Sequence, residues 1–185
     1  VNESRVSDFI RDFLTLKQKD IPNKGAVYAK FKERYPVPNS ADLMDALEEL
    51  REFSHVYARL LNPDLESDPE IRRELGYIRT LEVNVAFPFL MPVYRDFTAG
   101  IISRDVFAAV LRLVQTYVWR RFILSLPTNA LNKIFMSLYD RVDPAEYLVS
   151  IERSLMQRGG SQRFSRDAEV IAMLRETDIY RTKSR

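Results

Sequence analysis

The single histidine of the chain, His55, is the first residue to test for nuclease chemistry. A metal-dependent nuclease of the His-Asn-His type needs a histidine base together with further histidine or acidic ligands for its metal ion. One histidine cannot supply that set. A second, helical class of nuclease pairs an arginine with a histidine at a wider spacing than that of Arg51 and His55, which have only three residues between them. We therefore predict a structural or surface role for His55.

Phosphate-binding loops and catalytic carboxylates are equally hard to find. No glycine-rich loop is followed by Lys-Ser or Lys-Thr, and the isolated pair Gly159-Gly160 is typical of a helix end. The adjacent carboxylates Glu48 and Glu49 fall on the polar side of an amphipathic stretch, which predicts solvated side chains. The sequence thus predicts no catalytic residue, no metal ligands and no cofactor, and we expect that the chain is not an enzyme.

Arg120 and Arg121 are unusual because they interrupt a strongly apolar stretch. Consecutive side chains on a helix point about 100° apart, so both cannot serve one small ligand in the same way. We predict that one faces solvent or a partner. The other, buried, would need a carboxylate or helix-end carbonyl groups to offset its desolvation. Asn129 and Asn132, early in the following helix, are the predicted nearby hydrogen-bonding groups.

The arginine pair lies in the segment that organises the chain, residues 116–142. A long helix from Ser103 is predicted to end here, and residues 125–128 are predicted to break the chain before Thr128 caps a second helix. That second helix has Leu131 and Phe135 on its apolar side. The first carries one broad apolar stripe, which predicts a central position in the fold: Val106, Phe107, Val110, Leu111, Val114, Tyr117, Val118 and Phe122.

Further helices follow from apolar spacing and from stop signals. Ser7 precedes the first stripe, Pro36-Val37-Pro38 is predicted to end a second helix, and Ser40 is a predicted N-cap. Asp68-Pro69 and Asp143-Pro144 are predicted helix starts. Pro88 and Pro92 are predicted to break or kink the path and to leave a shorter helix at residues 89–97, with Gly100 at its end. The last helix is predicted from Asp167 to about Leu174.

This pattern predicts an all-α fold, a single compact domain of about eight or nine helices. The domain is expected to cover residues 1–177, with 178–185 as a loose tail leading toward an absent nuclease domain. The 185 residues include no cysteine, which is consistent with a reducing cytoplasm. No apolar run is long enough to cross a bilayer, so no membrane partner is expected.

Charge is unevenly distributed along the chain. Residues 42–82 hold five basic and eleven acidic residues, whereas residues 1–41 hold eight basic and five acidic. The acidic segment would repel a phosphate backbone, but the two ends could approach one. Solvated helix faces are the simpler interpretation. A DNA-binding surface remains open, and it would require these basic residues to converge on one face: Lys17, Lys19, Lys24, Lys30, Lys32, Arg34, Arg158, Arg163 and Arg166.

Three segments of the chain resemble the helical middle region of GmrSD-like restriction endonucleases. The segment YVWRRFILSLPTNALNKIF is similar to that family's Arg-Arg followed by Thr-Asn-x-Leu-Asn-x-x-Phe. FIRDFLTLKQKDIPNKGAVYAKFKERY, near the start, is similar to a second family segment. RFSRDAEVIAMLRETDIY, near the end, is similar to the stretch that precedes the family's nuclease domain, with Ser165 where proline is more usual. The three occur in the family's order and cover most of the chain.

The resemblance implies a modification-dependent (type IV) restriction system that acts on modified foreign DNA, and hence a role in phage defence. In that family a ParB-like nucleotide-hydrolysing domain and a His-Asn-His nuclease flank the helical region, and neither domain's motif occurs in this sequence. The chain is therefore expected to be a non-catalytic connector whose partners are those flanking domains and, as an alternative, DNA. A stand-alone helical domain of unrelated function is the third hypothesis. The family-motif residues, expected to be structural, are Arg120, Arg121, Thr128, Asn129, Leu131, Asn132 and Phe135.

Overall fold

Nine α-helices make up the part of the chain described by this computed structural model, residues 3–36 and 40–178. Short 3₁₀ turns connect several of them, and these residues contain no strand, which confirms the all-α prediction. Val37, Pro38 and all but the first residue of the predicted tail lie outside the described residues. The helices are α1 (Glu3–Gln18), α2 (Val27–Arg34), α3 (Ser40–Leu61), α4 (Pro69–Thr80), α5 (Phe87–Thr98), α6 (Arg104–Ile123), α7 (Asn129–Leu138), α8 (Tyr147–Met156) and α9 (Asp167–Glu176).

Side-chain caps fix the starts of two helices, α4 with the predicted cap Asp68 and α6 at its predicted start, Ser103. The Asp68 carboxylate accepts hydrogen bonds from the amides of Glu70 (2.9 Å) and Ile71 (3.0 Å), with Pro69 in the first turn of α4. The Ser103 hydroxyl accepts from the Val106 amide (3.3 Å) at the start of α6. Each bond satisfies an amide that has no partner within its own helix, which stabilises the first turns of α4 and α6.

Two predicted starts are displaced toward the N-terminus. Helix α1 begins at Glu3, ahead of Ser7, because the residues between them include no proline or glycine that would stop a helix. Helix α3 begins at Ser40, so Ser40 is its first helical residue rather than its cap. Both differences are confined to helix ends, where competing caps differ little in energy.

The core is organised around α5, whose residues 87–94 are all buried. It packs against α1, α3, α6 and α7. The helix predicted at residues 89–97 is present with slightly wider bounds, from Phe87 to Thr98, and Pro88 and Pro92 do not interrupt it. A proline inside a helix costs about 3 kcal/mol through the hydrogen bond it removes. Burial on every side offsets that cost, because each large apolar side chain contributes about 2 kcal/mol.

Helix α6 packs against α4, α5, α8 and α9, as its broad stripe predicts. Phe107, Val110, Leu111, Val114 and Tyr117 are buried. Phe122 does not follow the prediction, because 37% of it is exposed at the end of the helix together with 40% of Trp119. Arg121 and Ile123 are buried at the same end of the helix, so only the side of α6 that bears Trp119 and Phe122 is open to solvent there.

A buried carboxylate, Asp96, links α5 to the C-terminal half of the domain. Its Oδ2 accepts hydrogen bonds from the hydroxyls of Tyr139 (2.8 Å) and Tyr147 (2.6 Å). Burial, followed by the hydrogen bond to Asp96, raises the pKa of Tyr139 to about 12 and raises that of Tyr147 further. Both phenols therefore stay protonated and donate to Asp96 at physiological pH.

A second buried carboxylate joins α4 to α6. Glu74, of which only 2% is exposed, accepts hydrogen bonds at its carboxylate from Gln115 Nε2 (3.0 Å), Arg112 Nη1 (3.4 Å) and Arg73 Nη2 (3.1 Å). Two cations and an amide offset the desolvation of one charge, so the seam between the helices is held by polar contacts as well as apolar packing. Over the described ranges, no helix has the length and hydropathy needed to cross a membrane.

Candidate functional site

The family-motif residues meet where α6 ends and α7 begins. Ser125, with φ of 52°, turns the chain out of α6, and the amides of Leu124, Ser125 and Leu126 bond back to carbonyl groups of the last turn. Leu131 and Phe135 are buried on the inner side of α7. The break predicted at residues 125–128 is therefore present, and it places the arginine pair beside the α7 N-terminus.

Arg121 is buried, with only 2% of its surface exposed. Its Nη1 donates to the carbonyl of Ser161 (2.6 Å), and its Nη2 donates to the carbonyl of Pro127 (2.6 Å). The guanidinium also lies over the Tyr117 ring, 5.4 Å from its centroid. Carbonyl groups thus offset the burial of this charge, as the sequence predicts. The prediction that Asn129 and Asn132 are its partners is wrong, because the carbonyls of Ser161 and Pro127 occupy those donors.

Arg120 binds the same incoming segment from the neighbouring position on α6. Its Nη1 donates to the carbonyl of Ser165 (2.8 Å), and its Nη2 forms an ion pair with Asp167 (2.6 Å), the first residue of α9. The guanidinium lies over the Phe164 ring, 5.4 Å from its centroid. The two arginines therefore hold residues 161–167. We use the name arginine clamp for Arg120 and Arg121 together with the contacts that they make to this segment. Arg120 is not turned toward solvent, because this segment covers it.

Thr128 occupies the N-cap position of α7, but its side chain caps no amide. The reason is its backbone conformation, φ −82° and ψ −20°, which is helical rather than the extended conformation of capping residues. The first turn of α7 also contains no acidic residue. The predicted side-chain cap is therefore wrong, and the helix begins without any side chain that balances its N-terminal partial positive charge.

An open groove of about 880 Å³ runs between the α4–α5 turn and the α6–α7 break. Trp119 and Phe122 form one wall, Leu81, Val85, Val118 and Leu131 contribute apolar surface, and the rim includes Thr128, Asn129 and Asn132. Trp119 also borders a second depression, of about 520 Å³, with Tyr77 and Gln115. We name the larger depression the Trp119 groove. It is apolar with a few convergent polar groups, which is the character of small-molecule sites.

The chain matches no known protein-family model, no curated protein and no solved structure.

The basic residues near the N-terminus are largely engaged with neighbouring side chains. Lys17 pairs with Glu49 and lies between the Phe13 and Phe53 rings. Lys19 pairs with Asp140 (2.8 Å), Lys24 with Asp8 (3.9 Å) and Lys30 with Glu33 (2.9 Å). Lys32 and Arg34 lie over the rings of Tyr28 and Tyr35. A DNA backbone would have to compete with these contacts, most of which are exposed and individually weak.

The C-terminal basic residues surround the arginine clamp. Arg158 donates to Gln162 Oε1 (3.0 Å), and burial lowers the pKa of its guanidinium. Arg163 pairs with Glu169 (3.0 Å), whose other carboxylate oxygen accepts from the backbone amide of Arg166 (2.9 Å). These C-terminal basic residues belong to the segment that packs on α6 and α7. The basic residues near the N-terminus lie instead on α1, α2 and the connection between them.

The other residues considered as candidates for catalysis or metal binding lie apart from one another. His55 lies on the exposed side of α3. Glu48 is exposed, as predicted, but Glu49 is half-buried and pairs with Arg95 as well as Lys17, so the prediction of a solvated pair holds only for Glu48. In the described part of the chain, no three His, Asp or Glu side chains come together as a metal site would require.

One polar cavity was not predicted from the sequence. It encloses about 250 Å³ and is lined on one side by α1, with Arg5, Asp8 and Asp12. The Tyr57 hydroxyl donates to Asp12 Oδ2 (3.0 Å). Burial raises the pKa of Asp12 from 3.8 to about 7, against the hydrogen bond from Tyr57, which lowers it. The spacing of Asp8 and Asp12, one helical turn apart, is the signal that could have indicated a shared polar face.

Replacing Asp12 with asparagine is expected to stabilise the protein at pH 8 but not at pH 4. The unfolded chain releases this proton near pH 4 and the folded protein only near pH 7, so wild-type stability is lost as pH rises between the two values. At about 1.4 kcal/mol per pKa unit, a rise of about 3 units makes the gain at pH 8 up to about 4 kcal/mol. Urea unfolding from pH 4 to pH 8 measures it, and the charge-matched control is Glu152→Gln, which neutralises an exposed carboxylate on α8 that does not line the cavity. Parallel stability curves for Asp12→Asn and wild type would contradict the expectation.

Proposed function

We propose that this chain is a non-catalytic helical connector of a GmrSD-like restriction system that acts on modified foreign DNA in the cytoplasm. It would join a nucleotide-hydrolysing domain to a nuclease and fix their relative placement. The resemblance of three ordered segments supports the family. The observation that carries the role is the arginine clamp, because both arginines of the family motif hold the segment that leads into α9.

The arginine clamp acts as a mechanical joint between the core and α9. Helix α9 packs against α6, and Val170 is its buried residue. Its attachment therefore depends on the contacts of Arg120 with Ser165 and Asp167 and of Arg121 with Ser161. The clamp fixes the orientation of α9 on the core, so it would also fix the direction in which a polypeptide leaves α9. A connector needs this fixed orientation.

Helix α9 also presents apolar side chains for a further contact. Ile171 and Leu174 are 47% and 40% exposed, and they lie three residues apart on one face of the helix. An isolated helix of ten residues is marginal in water, so contacts on both faces would stabilise it. This arrangement supports an interaction role for α9 in an assembly with a flanking domain.

The alternative function is a DNA-binding module that contacts the phosphate backbone through the basic N- and C-terminal segments. Its strongest candidates are residues whose charges are exposed: Lys24, Lys32, Arg34 and Arg166. The ion pairs of Lys17, Lys19, Lys30 and Arg163 favour the connector, because binding DNA would first break them.

Fluorescence anisotropy with plain and base-modified duplexes, across a salt series, tests the proposal. A connector is expected to show no binding tighter than about 10⁻⁴ M at physiological salt, the weak end of non-specific affinity. Binding that falls by about one logarithmic slope unit per phosphate contact would instead establish the DNA-binding module. Lys32→Glu and Arg166→Glu would then locate the contact at one end or the other. Hydrolysis of nucleotide or DNA by the purified chain would overturn the non-catalytic proposal.

A further inference from the structure

We propose that the polar cavity beside α1 binds a free aliphatic α-amino acid, with the ammonium group of the ligand at Asp12 and its carboxylate at Arg11. We name this space the Asp12 cavity. None of its lining residues belongs to the arginine clamp, so the site goes beyond the connector role. Three observations carry the proposal: a carboxylate without a cationic partner, a guanidinium with free terminal nitrogens, and an apolar wall in the same cavity.

The Asp12 cavity lies where five parts of the fold meet. Helix α1 and the α1–α2 connection line it together with α3, and side-chain amides come from Asn84, before α5, and from Asn132 on α7. Its volume of about 250 Å³ is below the range of about 300–1,000 Å³ that is usual for drug-sized ligands. The cavity therefore suits a small polar molecule better than a nucleotide or a peptide.

Asp12 is the group that requires a cation. Its Oδ2 accepts the hydrogen bond from Tyr57 (3.0 Å), whereas Oδ1 has no donor among the described residues and keeps accessible surface. Asp8 has a cation, Lys24, at 3.9 Å, but no described side chain forms an ion pair with Asp12. Burial raises the pKa of Asp12 to about 7, since the hydrogen bond from Tyr57 and the charge of Arg11 oppose it only in part. An ammonium group at Oδ1 would supply the missing counter-charge.

Arg11 supplies the opposite charge. Its Nε donates to the carbonyl of Pro22 (2.8 Å), which holds the guanidinium at the cavity. Nη1 and Nη2 have no acceptor among the described residues, and a carboxylate is the ligand group that can accept from both. Arg11 and Asp12 are consecutive on α1 and point about 100° apart, so they suit two different ends of one ligand.

The lining of the cavity selects the class of ligand. A simple anion would meet the Asp12 carboxylate, and a simple cation would meet Arg5 and Arg11. An α-amino acid carries both charges and no net charge, so each end can meet its counter-charge. The remaining wall favours an aliphatic side chain, because it is formed by Ile21, Leu61, Val85 and Pro88.

Isothermal titration calorimetry of the 185-residue chain with L-leucine tests the proposal. The matched controls are 3-methylbutylamine, which lacks the carboxylate of leucine, and 4-methylpentanoate, which lacks the ammonium group. At pH 8 we expect saturable binding of leucine. Both controls should bind at least about tenfold more weakly, because each loses one charge-assisted contact.

The affinity for leucine should also fall as the pH drops from 8 to 5.5, because protonation of Asp12 removes the charge that attracts the ammonium group. Burial also raises the pKa of Tyr57, so its hydroxyl stays protonated throughout. The α4–α5 turn, α5 and α7 contribute uncharged lining residues. The charged or titratable groups that line the cavity with Asp12 are Arg5, Asp8 and Arg11 on α1, Lys24 on the connection and Tyr57 on α3.

Asp12→Asn is the decisive variant, because it keeps an acceptor for Tyr57 and removes the charge. Leucine should bind it at least about tenfold more weakly and without the pH dependence, whereas 4-methylpentanoate should bind it no more weakly than it binds the wild type. Structural damage to the cavity would weaken both ligands. Glu152→Gln, outside the cavity on α8, changes net charge equally and should leave the affinity for leucine unchanged. The proposal is overturned by the absence of saturable leucine binding, by equal affinities for leucine and either control, or by unchanged leucine binding in Asp12→Asn.

Discussion

Replacing Asp96 with alanine is expected to lower the free energy of unfolding by about 3–5 kcal/mol, the usual cost of breaking a buried charged network by removing one partner. The substitution leaves the hydroxyls of Tyr139 and Tyr147 without their acceptor inside the protein. Because both tyrosines come from the C-terminal half, the loss weakens the polar contacts between that half and α5 but leaves the apolar packing of α6 and α7 in place. Urea denaturation at pH 7 measures the change, and the melting temperature should fall by about 3 °C per kcal/mol.

The matched control removes the donors together with the acceptor. In Asp96→Leu combined with Tyr139→Phe and Tyr147→Phe, no polar atom of the network remains unsatisfied, and replacing whole buried networks by apolar groups is often close to neutral. The triple variant should therefore be more stable than Asp96→Ala, although it contains more substitutions. If Asp96→Ala costs less than about 1 kcal/mol, the network has no structural importance.

Replacing Arg121 with methionine is expected to release α9 from the core and to cost about 3–4 kcal/mol. Methionine retains an apolar stem but no donor, so the carbonyls of Ser161 and Pro127 lose the guanidinium that links them. Hydrogen exchange should show the largest loss of protection in residues 161–176. The protection of α5, to which neither arginine is bonded, should change only through the global stability.

Two comparisons make the Arg121 result specific. Arg121→Lys should recover little of the loss, because one ammonium group cannot reproduce the planar geometry that reaches both carbonyls. Arg153→Met, which removes an exposed ion pair with Glu146 on α8, should change stability by less than about 1 kcal/mol. If Arg121→Met instead lowered the protection from hydrogen exchange uniformly across the whole chain, without a larger loss in α9, the proposal that the clamp attaches α9 to the core would be contradicted.

Local sequence signals predicted the elements of the fold where they act within one helical turn. Asp68 and Ser103 cap their helices because a side chain and an amide two or three residues later meet in any chain that starts a helix there. Thr128 shows the limit of this reasoning. Its residue type suits a cap, but its helical backbone conformation, imposed by the turn out of α6, directs the hydroxyl away from the amides.

Most partners of the buried charges could not be predicted, because they are distant in the sequence. Arg121 and Ser161 are 40 residues apart, and Asp96 and Tyr147 are 51 apart. The sequence indicated that a buried Arg121 needs carbonyl groups, since desolvation requires it, but only the packing of α8 and α9 onto α6 identifies them. For Pro92 the local signal was clear but misleading. Proline disfavours the interior of a helix, yet the burial of α5 outweighs that preference.

The central position of α5 has a consequence for how the domain unfolds. Its neighbours α1, α3, α6 and α7 all pack on it, so none of the four can separate from it without exposing part of a helix whose residues 87–94 are all buried. Partial unfolding that spares α5 is therefore confined to peripheral elements such as α9. A force applied through α9 would act on the arginine clamp before it acts on the core. The clamp would therefore open first, and α9 could detach and dock again while the core stays folded.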